Sequence, residues 1–204
     1  MRSLLLGTRN PGKVIEITNI LAASGWSFSS LQEFPDVGEA EENFVTFAEN
    51  AIAKACFYSS ATGLSALADD SGLEVAALGG APGVFSARYA GAHASDADRR
   101  ALLLSELGKT RDSNRRARFV AVVAIATPAG EILNLSEGLC EGTITFSPRG
   151  TGGFGYDPLF IPDGHTQTFA ELPDTIKNQI SHRARALLGT RLFLSQLDHP
   201  FPSP

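Results

Sequence analysis

The stretch of sequence that decides the fold is "ARFVAVVAIATP", residues 117–128. Its apolar and β-branched residues leave no polar face, a pattern typical of a strand that is covered on both sides. Such a strand lies inside a sheet whose two faces carry helices. The stretch therefore predicts an α/β protein in which this strand is central.

Other segments extend this sheet and supply the helices that cover it. Short apolar runs predict strands at "SLLLG" (3–7) and "LFIP" (159–162), and residues 131–148 predict one or two more. Apolar residues at helical spacing, with capping residues at the ends, predict helices over 13–25, 43–60, 95–108 and 178–197. The fold class that follows is α/β, with a mixed central sheet and flanking helices.

The remaining segments are predicted from their turn-forming residues. Residues 64–75 are expected to form a strand that runs into an acidic turn, and 79–91 a glycine-rich loop. Residues 27–43 are expected to be irregular. No repeat or linker divides the chain, so we expect a single domain over residues 1–204, with a flexible tail at 198–204.

The bulk composition limits the classes of partner. The chain has 204 residues, of which 43% are hydrophobic, and a formal net charge of −5. The length allows a substantial core, and the negative charge argues against a nucleic-acid polymer as partner. Cys56 and Cys140 are too few for a disulfide framework and are predicted to be reduced and buried. Since no stretch resembles a signal peptide or a membrane span, we expect a cytoplasmic protein without a membrane partner.

The segment "TRNPGK" (8–13) lies between the first predicted strand and the first predicted helix. Backbone N–H groups at a helix start, with Lys13 in the first turn, favour a bound phosphate. Thr8 and Asn10 offer further hydrogen-bond donors. The spacing is not that of a Walker A loop. On this motif alone, a phosphate site and an ordinary strand–helix turn both remain open.

Two acidic pairs could provide a metal site: Glu41 with Glu42, and Asp69 with Asp70. Mg²⁺ takes one or two carboxylates from a protein and completes its shell with water and substrate phosphates. The aspartates are the more specific pair, because they follow an apolar strand, where α/β folds place ligand chemistry. We expect them to point in different directions, so that one could hold a metal ion or water while the other makes hydrogen bonds in the turn. For the glutamates, a solvated acidic loop is the simpler interpretation.

A glycine-rich stretch, "GTGGFGYDP" (150–158), has four glycines among its first six residues. Glycine lets a backbone approach a planar ligand or a phosphate closely. The rings of Phe154 and Tyr156 could then face a nucleobase, and Asp157 could accept hydrogen bonds from base N–H groups. A β-bulge turn is the alternative interpretation.

The segment "SHR" (181–183) lies in the last predicted helical region and offers donors suited to keto oxygens, with Lys177 nearby for an anion. Taken alone, His182 fits better as a partly exposed residue of an ordinary helix. Together with the other motifs, however, these residues supply phosphate donors, metal carboxylates, an aromatic platform and groups that read a base edge. The set predicts a Mg²⁺-dependent enzyme that acts on nucleotides.

Five blocks of the chain carry a family likeness: "TRNPGK", "ENAIAKA", "ADDSGLEVAALGGAPGVFSARYAG", "GTGGFGYDPLFIPDG" and "ISHRARAL". They resemble the inosine triphosphate pyrophosphatase family, whose bacterial members are the dITP/XTP pyrophosphatases. The likeness runs from about residue 4 to about residue 195 in the family's order. The blocks "ADDSG", "GTGGFGYDP" and "SHR" are highly specific in combination.

The resemblance implies an activity and an architecture. Enzymes of this family hydrolyse dITP, ITP and XTP to the nucleoside monophosphate and pyrophosphate, which removes deaminated purines from the nucleotide pool. They are Mg²⁺-dependent homodimers. Their mixed α/β fold forms two lobes around a central cleft that holds the active site. We expect the same of this chain.

The resemblance also implies roles for individual residues. Asp70 would be the catalytic proton acceptor and a metal ligand. The substrate-binding residues would be Thr8, Arg9, Asn10, Pro11, Gly12, Lys13, Lys54, Ser71, Phe154, Gly155, Tyr156, Asp157, Lys177, His182 and Arg183. Residues 8–13 and Lys54 would serve the phosphates, and the residues from Phe154 onward would serve the base.

The chain departs from the family pattern at one place. Where the family has Glu-Glu-Thr-Gly-x-Thr-Phe, this chain has "EENFVTF" (41–47). Both Glu41 and Glu42 are therefore candidate metal ligands, and the conserved spacing to Thr46 favours Glu42. Two other functions stay open at this point: a pyrophosphatase for other nucleoside triphosphates, and a nucleotide-binding module without turnover.

Overall fold

The computed structural model describes residues 3–197. The expected flexible tail, 198–204, lies outside the described residues. The strands are β1 (Ser3–Leu6), β2 (Ser27–Ser30), β3 (Ala66–Val75), β4 (Arg116–Ala126), β5 (Ile132–Ile144) and β6 (Phe160–Pro162). The helices are α1 (Pro11–Leu21), α2 (Phe47–Thr62), α3 (Asp96–Lys109), α4 (Asp174–Ile180) and α5 (His182–Ser195).

The strands form one mixed six-stranded sheet in the order β2-β1-β3-β4-β5-β6. Strand β1 runs parallel to both β2 and β3, whereas β5 and β6 are antiparallel. Strand β4 lies inside the sheet, and all its residues from Phe119 to Ala126 are buried. The predicted fold class and the predicted central strand are both confirmed.

The helix ends follow the capping residues of the sequence. The side chains of Asn10, Thr46 and Ser95 each accept a backbone N–H at the start of α1, α2 and α3, respectively. Each thereby satisfies a backbone donor that has no partner within its helix. Gly63 closes α2 in the left-handed conformation that glycine adopts most readily. The predictions for these three helices are confirmed to within a few residues.

Three sequence-based expectations are wrong in detail. Residues 27–43 were expected to be irregular, but they contain strand β2 and a 3-10 helix. The strand forms because pairing with β1 satisfies the backbone of four residues that have no strand pattern of their own. Residues 66–75 form one continuous strand with no acidic turn. The last helical region is two helices, since Ser181 between α4 and α5 has an extended backbone.

The chain divides into two compact units. Among the described residues, the first unit comprises 3–70, 121–138 and 183–197, and the second comprises 71–120 and 139–182. The first has an apolar core that includes Leu4, Ile17, Trp26, Val123 and Leu187. The second has its own core, which includes Leu73, Phe119, Tyr156, Phe160 and Phe169. Each unit thus buries its own apolar cluster.

Two further features bear on the expected class of protein. Both cysteines are free thiols; Cys140 is buried and Cys56 is partly buried. Over residues 3–197, no helix combines the length and the apolar character needed to cross a bilayer.

Candidate functional site

The loop that joins β1 to α1 in the first unit is shaped by its own side chains. The Asn10 side chain accepts the Lys13 N–H at 3.2 Å, and the Thr8 hydroxyl oxygen accepts the Asn10 N–H at 3.2 Å. Pro11 begins the helix, where a missing N–H costs nothing, and Gly12 follows it. The loop is therefore preorganised, with Lys13 in the first helical turn.

Arg9 is used differently from its neighbours in this loop. Its guanidinium donates to the backbone carbonyl of Val37 at 2.5 Å. This bond ties the loop to the segment that follows β2, within the same unit. In this structure Arg9 therefore braces the loop.

Asp69 forms the centre of a buried charge network in the first unit. Its Oδ2 lies 3.1 Å from Lys13 Nζ and accepts from Arg183 Nε at 3.1 Å and Nη2 at 3.0 Å. The same guanidinium also bonds the Glu16 carboxylate. Burial alone would raise the pKa of Asp69, but the charges of Lys13 and Arg183 outweigh burial and hold this pKa far below its ordinary value. Asp69 is therefore ionised and structurally engaged.

Asp70, the next residue of β3, has a different set of partners. Its Oδ1 accepts from Lys54 Nζ at 2.8 Å, whereas its Oδ2 is buried and has no hydrogen-bond partner among the described residues. Burial raises the pKa of Asp70, and the charge of Lys54 only partly offsets this effect. A buried carboxylate oxygen without a partner is costly, so a ligand that bonded this atom would be stabilising.

Lys54 joins a second acid to this group. Its Nζ lies 2.5 Å from Glu42 Oε1 and donates to the Asp69 carbonyl at 3.3 Å. Burial lowers the pKa of Lys54, but Asp70 and Glu42 together raise it above its ordinary value. Glu41 instead accepts from the side-chain amide of Asn43 at 2.8 Å. Of the two candidate glutamates, Glu42 therefore shares Lys54 with Asp70, whereas Glu41 is exposed.

The donor set of Asp70 and Glu42 suits Mg²⁺. Within residues 3–197, no group of three or more His, Cys, Asp or Glu side chains could hold a metal ion, so a metal held by protein side chains alone does not fit. Mg²⁺ typically uses one or two carboxylates and takes its other ligands from water and phosphate. The unpaired Oδ2 of Asp70 is compatible with that arrangement.

In the second unit, Asp157 organises the predicted base-binding residues. Its Oδ2 accepts from Lys177 Nζ at 2.6 Å and from the Phe154 N–H at 2.9 Å. Lys177 Nζ also lies 4.8 Å from the centre of the Phe154 ring, within cation–π range. Both members of the ion pair are almost fully buried. The structure thus brings Phe154, Asp157 and Lys177 together.

The glycines of 150–158 serve the chain itself. A Cβ on Gly150 would lie 2.5 Å from the Ala170 carbonyl carbon, and one on Gly153 would lie 2.1 Å from Asp157 Oδ2. A Cβ on Gly155 would meet nothing within 4 Å, but its φ of +59° favours glycine. The close approach that was expected toward a ligand is, at Gly150 and Gly153, an approach to the protein's own residues.

Two other residues of this set, Tyr156 and His182, are buried. The Tyr156 ring belongs to the core of the second unit, and its hydroxyl donates to the Ser86 carbonyl at 3.1 Å. The His182 ring stacks on Phe119 with centroids 4.5 Å apart. His182 is therefore not the partly exposed residue of the simpler interpretation. Ser71, in β3, is partly buried.

Sequence reasoning missed some members of these networks. Glu16 was not singled out; its only sequence signal is its position three residues after Lys13 on α1, which places the two on neighbouring turns. Arg183, expected beside the base, belongs to the first unit and bonds Asp69 and Glu16. One of the two aspartates was expected to bond within a turn, whereas Asp69 bonds cations from distant segments.

The chain was compared with models of known protein families. The model of the Ham1 family matches residues 4–191. The chain belongs to the Ham1 family. Among curated Ham1 relatives, the dITP/XTP pyrophosphatase of Geobacter sulfurreducens is 51% identical over 187 residues, covering 92% of this chain and 94% of the relative. That of Thermus thermophilus is 49% identical, covering 90% of this chain and 87% of the relative.

Solved Ham1 structures confirm the fold class. The Ham1 protein of Coxiella burnetii superposes with a TM-score of 0.88 at 43% identity, over 97% of this chain and all of the other. The Staphylococcus aureus Ham1 protein gives a TM-score of 0.82 at 37% identity, over 95% and 98% of the two chains. The family resemblance expected from the sequence blocks is therefore confirmed.

Proposed function

We propose that this Ham1 protein hydrolyses dITP, ITP and XTP to the nucleoside monophosphate and pyrophosphate, and so removes deaminated purines from the nucleotide pool. The names of its relatives support this activity. The observation that carries it is the buried Asp70 carboxylate, with one oxygen on Lys54 and the other without a partner among residues 3–197. Such an oxygen is suited to accept a proton or to bind a cation.

The first unit would serve the triphosphate. Lys13 and the helix-start N–H groups of α1 would bind phosphate oxygens. Asp70 and Glu42 would hold Mg²⁺, which when bound neutralises charge that develops on the phosphate. Asp70 would also accept the proton of the attacking water, the role that the family resemblance implies for it. Lys54 would keep both carboxylates oriented.

The second unit would serve the base. Phe154 would offer its ring face, while Asp157 and Lys177 would pair with groups on the base edge. A 6-keto oxygen accepts hydrogen bonds, whereas the amino group of adenine donates them. Adenine would therefore leave a buried donor of the protein unpaired, at a cost of about 1–3 kcal/mol for each such group.

The direct test replaces Asp70. Asp70→Asn keeps the size of the side chain but removes its basicity, so we expect pyrophosphate release from dITP with Mg²⁺ to fall by about 10²-fold or more. Asp36→Asn, an exposed carboxylate in the same unit, is the matched control and should leave the rate unchanged. Near-wild-type release by Asp70→Asn would remove this residue from the mechanism. Saturable binding of dITP by the wild type without pyrophosphate release would instead indicate a binding module.

We also propose that the protein is a cytoplasmic homodimer, as the family resemblance implies. Light scattering at micromolar concentration would test the assembly: a monomer mass would contradict it.

A further inference from the structure

Both backbone hydrogen-bonding groups of Gly155 are held by helix α3. Asp96 Oδ2 accepts the Gly155 N–H at 2.7 Å, and Arg100 Nη1 donates to the Gly155 carbonyl at 2.7 Å. Asp96 and Arg100 are four residues apart on α3, so they project from the same side of the helix. Together they form a two-point clamp, hereafter the Gly155 clamp, on the loop between Phe154 and Tyr156.

The clamp is itself braced. The other carboxylate oxygen of Asp96, Oδ1, pairs with Arg99. Arg99 in turn donates to the carbonyls of Ala87 at 2.8 Å and Ala94 at 2.7 Å. Burial would raise the pKa of Asp96, but the bonds from Arg99 and Gly155 lower it, so the carboxylate stays ionised. The acceptor for Gly155 is thus a charged oxygen in a fixed orientation.

The clamp controls the direction of the chain between two aromatic residues. The Gly155 N–H belongs to the peptide group that follows Phe154, and the Gly155 carbonyl belongs to the peptide group that precedes Tyr156. With both peptide planes fixed at a φ of +59°, the backbone on either side of Gly155 has one orientation. On the Phe154 side, that orientation lets the Phe154 N–H reach Asp157 and places the ring beside Lys177.

We propose that Asp96 and Arg100 are positioning residues for base recognition: the Gly155 clamp holds the Phe154 ring and the Asp157 carboxylate in the geometry that binds a purine. This inference rests on the proposed function, because that function assigns the base to this loop. Neither residue touches the base in this account. Their effect passes through the Gly155 backbone.

A purely structural role would predict something different from a positioning role. A loss of general stability would lower the affinity for every ligand and the melting temperature together. A loss of positioning would weaken ligands that carry the base and spare ligands that carry only phosphate. IMP and inorganic pyrophosphate are the two probes, since IMP has the base and pyrophosphate has none.

The experiment measures the binding of each probe to the full chain by calorimetry, with Mg²⁺ present. For Asp96→Ala and for Arg100→Ala, we expect the Kd for IMP to rise about tenfold, equivalent to about 1.4 kcal/mol, because a charge-assisted bond to the loop is lost. The Kd for pyrophosphate should stay within about twofold. In steady-state kinetics the KM for dITP should rise more than kcat falls.

Two variants serve as controls. Asp98→Ala removes an acid from the same helical turn that bonds Ser95 and does not contact Gly155. It should leave the IMP affinity unchanged while altering helix capping. Asp96→Asn retains an oxygen that can accept the Gly155 N–H, so it should recover most of the IMP affinity lost in Asp96→Ala.

The outcomes separate the two proposals. An unchanged IMP affinity in both alanine variants, or equal losses for IMP and pyrophosphate, would overturn the positioning role. A wild type that binds IMP but does not hydrolyse dITP would overturn the proposed function, while the IMP comparison would still decide the clamp. A wild type that hydrolyses dITP but does not bind IMP would overturn the positioning role and leave the proposed function standing.

Discussion

Replacement of Asp69 by asparagine is the sharpest test of the charge network in the first unit. The change keeps the shape of the side chain and removes its negative charge. Oδ2 of Asp69 receives Lys13 Nζ, Arg183 Nε and Arg183 Nη2 within 3.1 Å. In Asp69→Asn, Lys13 would lose this ion pair, and Arg183 would keep its bond to the Glu16 carboxylate.

The magnitude follows from burial. Asp69 is 2% exposed and Arg183 is 1% exposed, so water cannot replace the missing charge. Loss of one partner from a buried ion pair typically costs about 3–5 kcal/mol. For a chain of this size, each kcal/mol shifts the melting temperature by about 2–4 °C. We therefore expect Asp69→Asn to melt roughly 6–20 °C below the wild type at pH 7.

The stabilisation that Asp69 provides should depend on pH. The pKa of Asp69 is lowered in the folded state, so its stabilisation is fully present above the unfolded value of about 3.9 and is lost as the pH falls toward the folded value. Urea denaturation at pH 7, 5 and 3 measures this directly. The difference in free energy of unfolding between wild type and Asp69→Asn should be constant from pH 7 to 5 and should narrow at pH 3.

The control for this measurement is Asp36→Asn, which removes an exposed carboxylate from the same unit. It should leave the unfolding midpoint unchanged at all three pH values. A difference between wild type and Asp69→Asn that stays constant down to pH 3, or that is below about 1 kcal/mol at pH 7, would refute the reasoning, since a buried pair of this kind typically contributes more.

Two further predictions use matched pairs of residues. Glu42→Gln should raise the Mg²⁺ concentration needed for half-maximal pyrophosphate release by roughly tenfold, because one carboxylate ligand is lost, whereas Glu41→Gln should change it little; equal effects in a magnesium titration would contradict the assignment of Glu42. Gly153→Ala should destabilise the protein more than Gly155→Ala in thermal melts. Both have positive φ, at a strain of about 1–2 kcal/mol, but only a Cβ on Gly153 would collide with Asp157; indistinguishable melting temperatures would argue against that collision.

Much of the fold could be predicted from local pattern because the pattern and the tertiary structure agree. Strand β4 is apolar on both faces and lies inside the sheet. Helix α3 begins after Ser95, whose side chain caps it. Strand β2 could not be predicted, since "SFSS" (27–30) has no strand signal and its backbone is satisfied only by pairing with β1.

The residue types of the candidate site could be predicted from the sequence, but the ion-pair and hydrogen-bond partners of each residue could not. The sequence singled out Asp69, Asp70 and Lys13, but local turn chemistry suggested that one aspartate would bond within a turn. The strand instead continues through both, because cations from α1, α2 and α5 compensate the buried charges. Such compensation depends on contacts between residues more than 100 positions apart, as in Arg183 with Asp69. The catalytic and binding roles of these residues stay predictions.

Strand β3 makes two chemically identical neighbours unequal. Successive side chains of a strand face opposite ways, so Asp69 meets Lys13 and Arg183 while Asp70 meets Lys54. The pairing of Leu5 with Ala66 and of Leu6 with Leu67 sets which acid faces which way. A shift of β3 by one residue would exchange the faces of the sheet on which the two carboxylates lie, with no change in sequence. Which of the two acids meets Lys54 is thus determined by the alignment of β1 with β3 as well as by the order of residues in the chain.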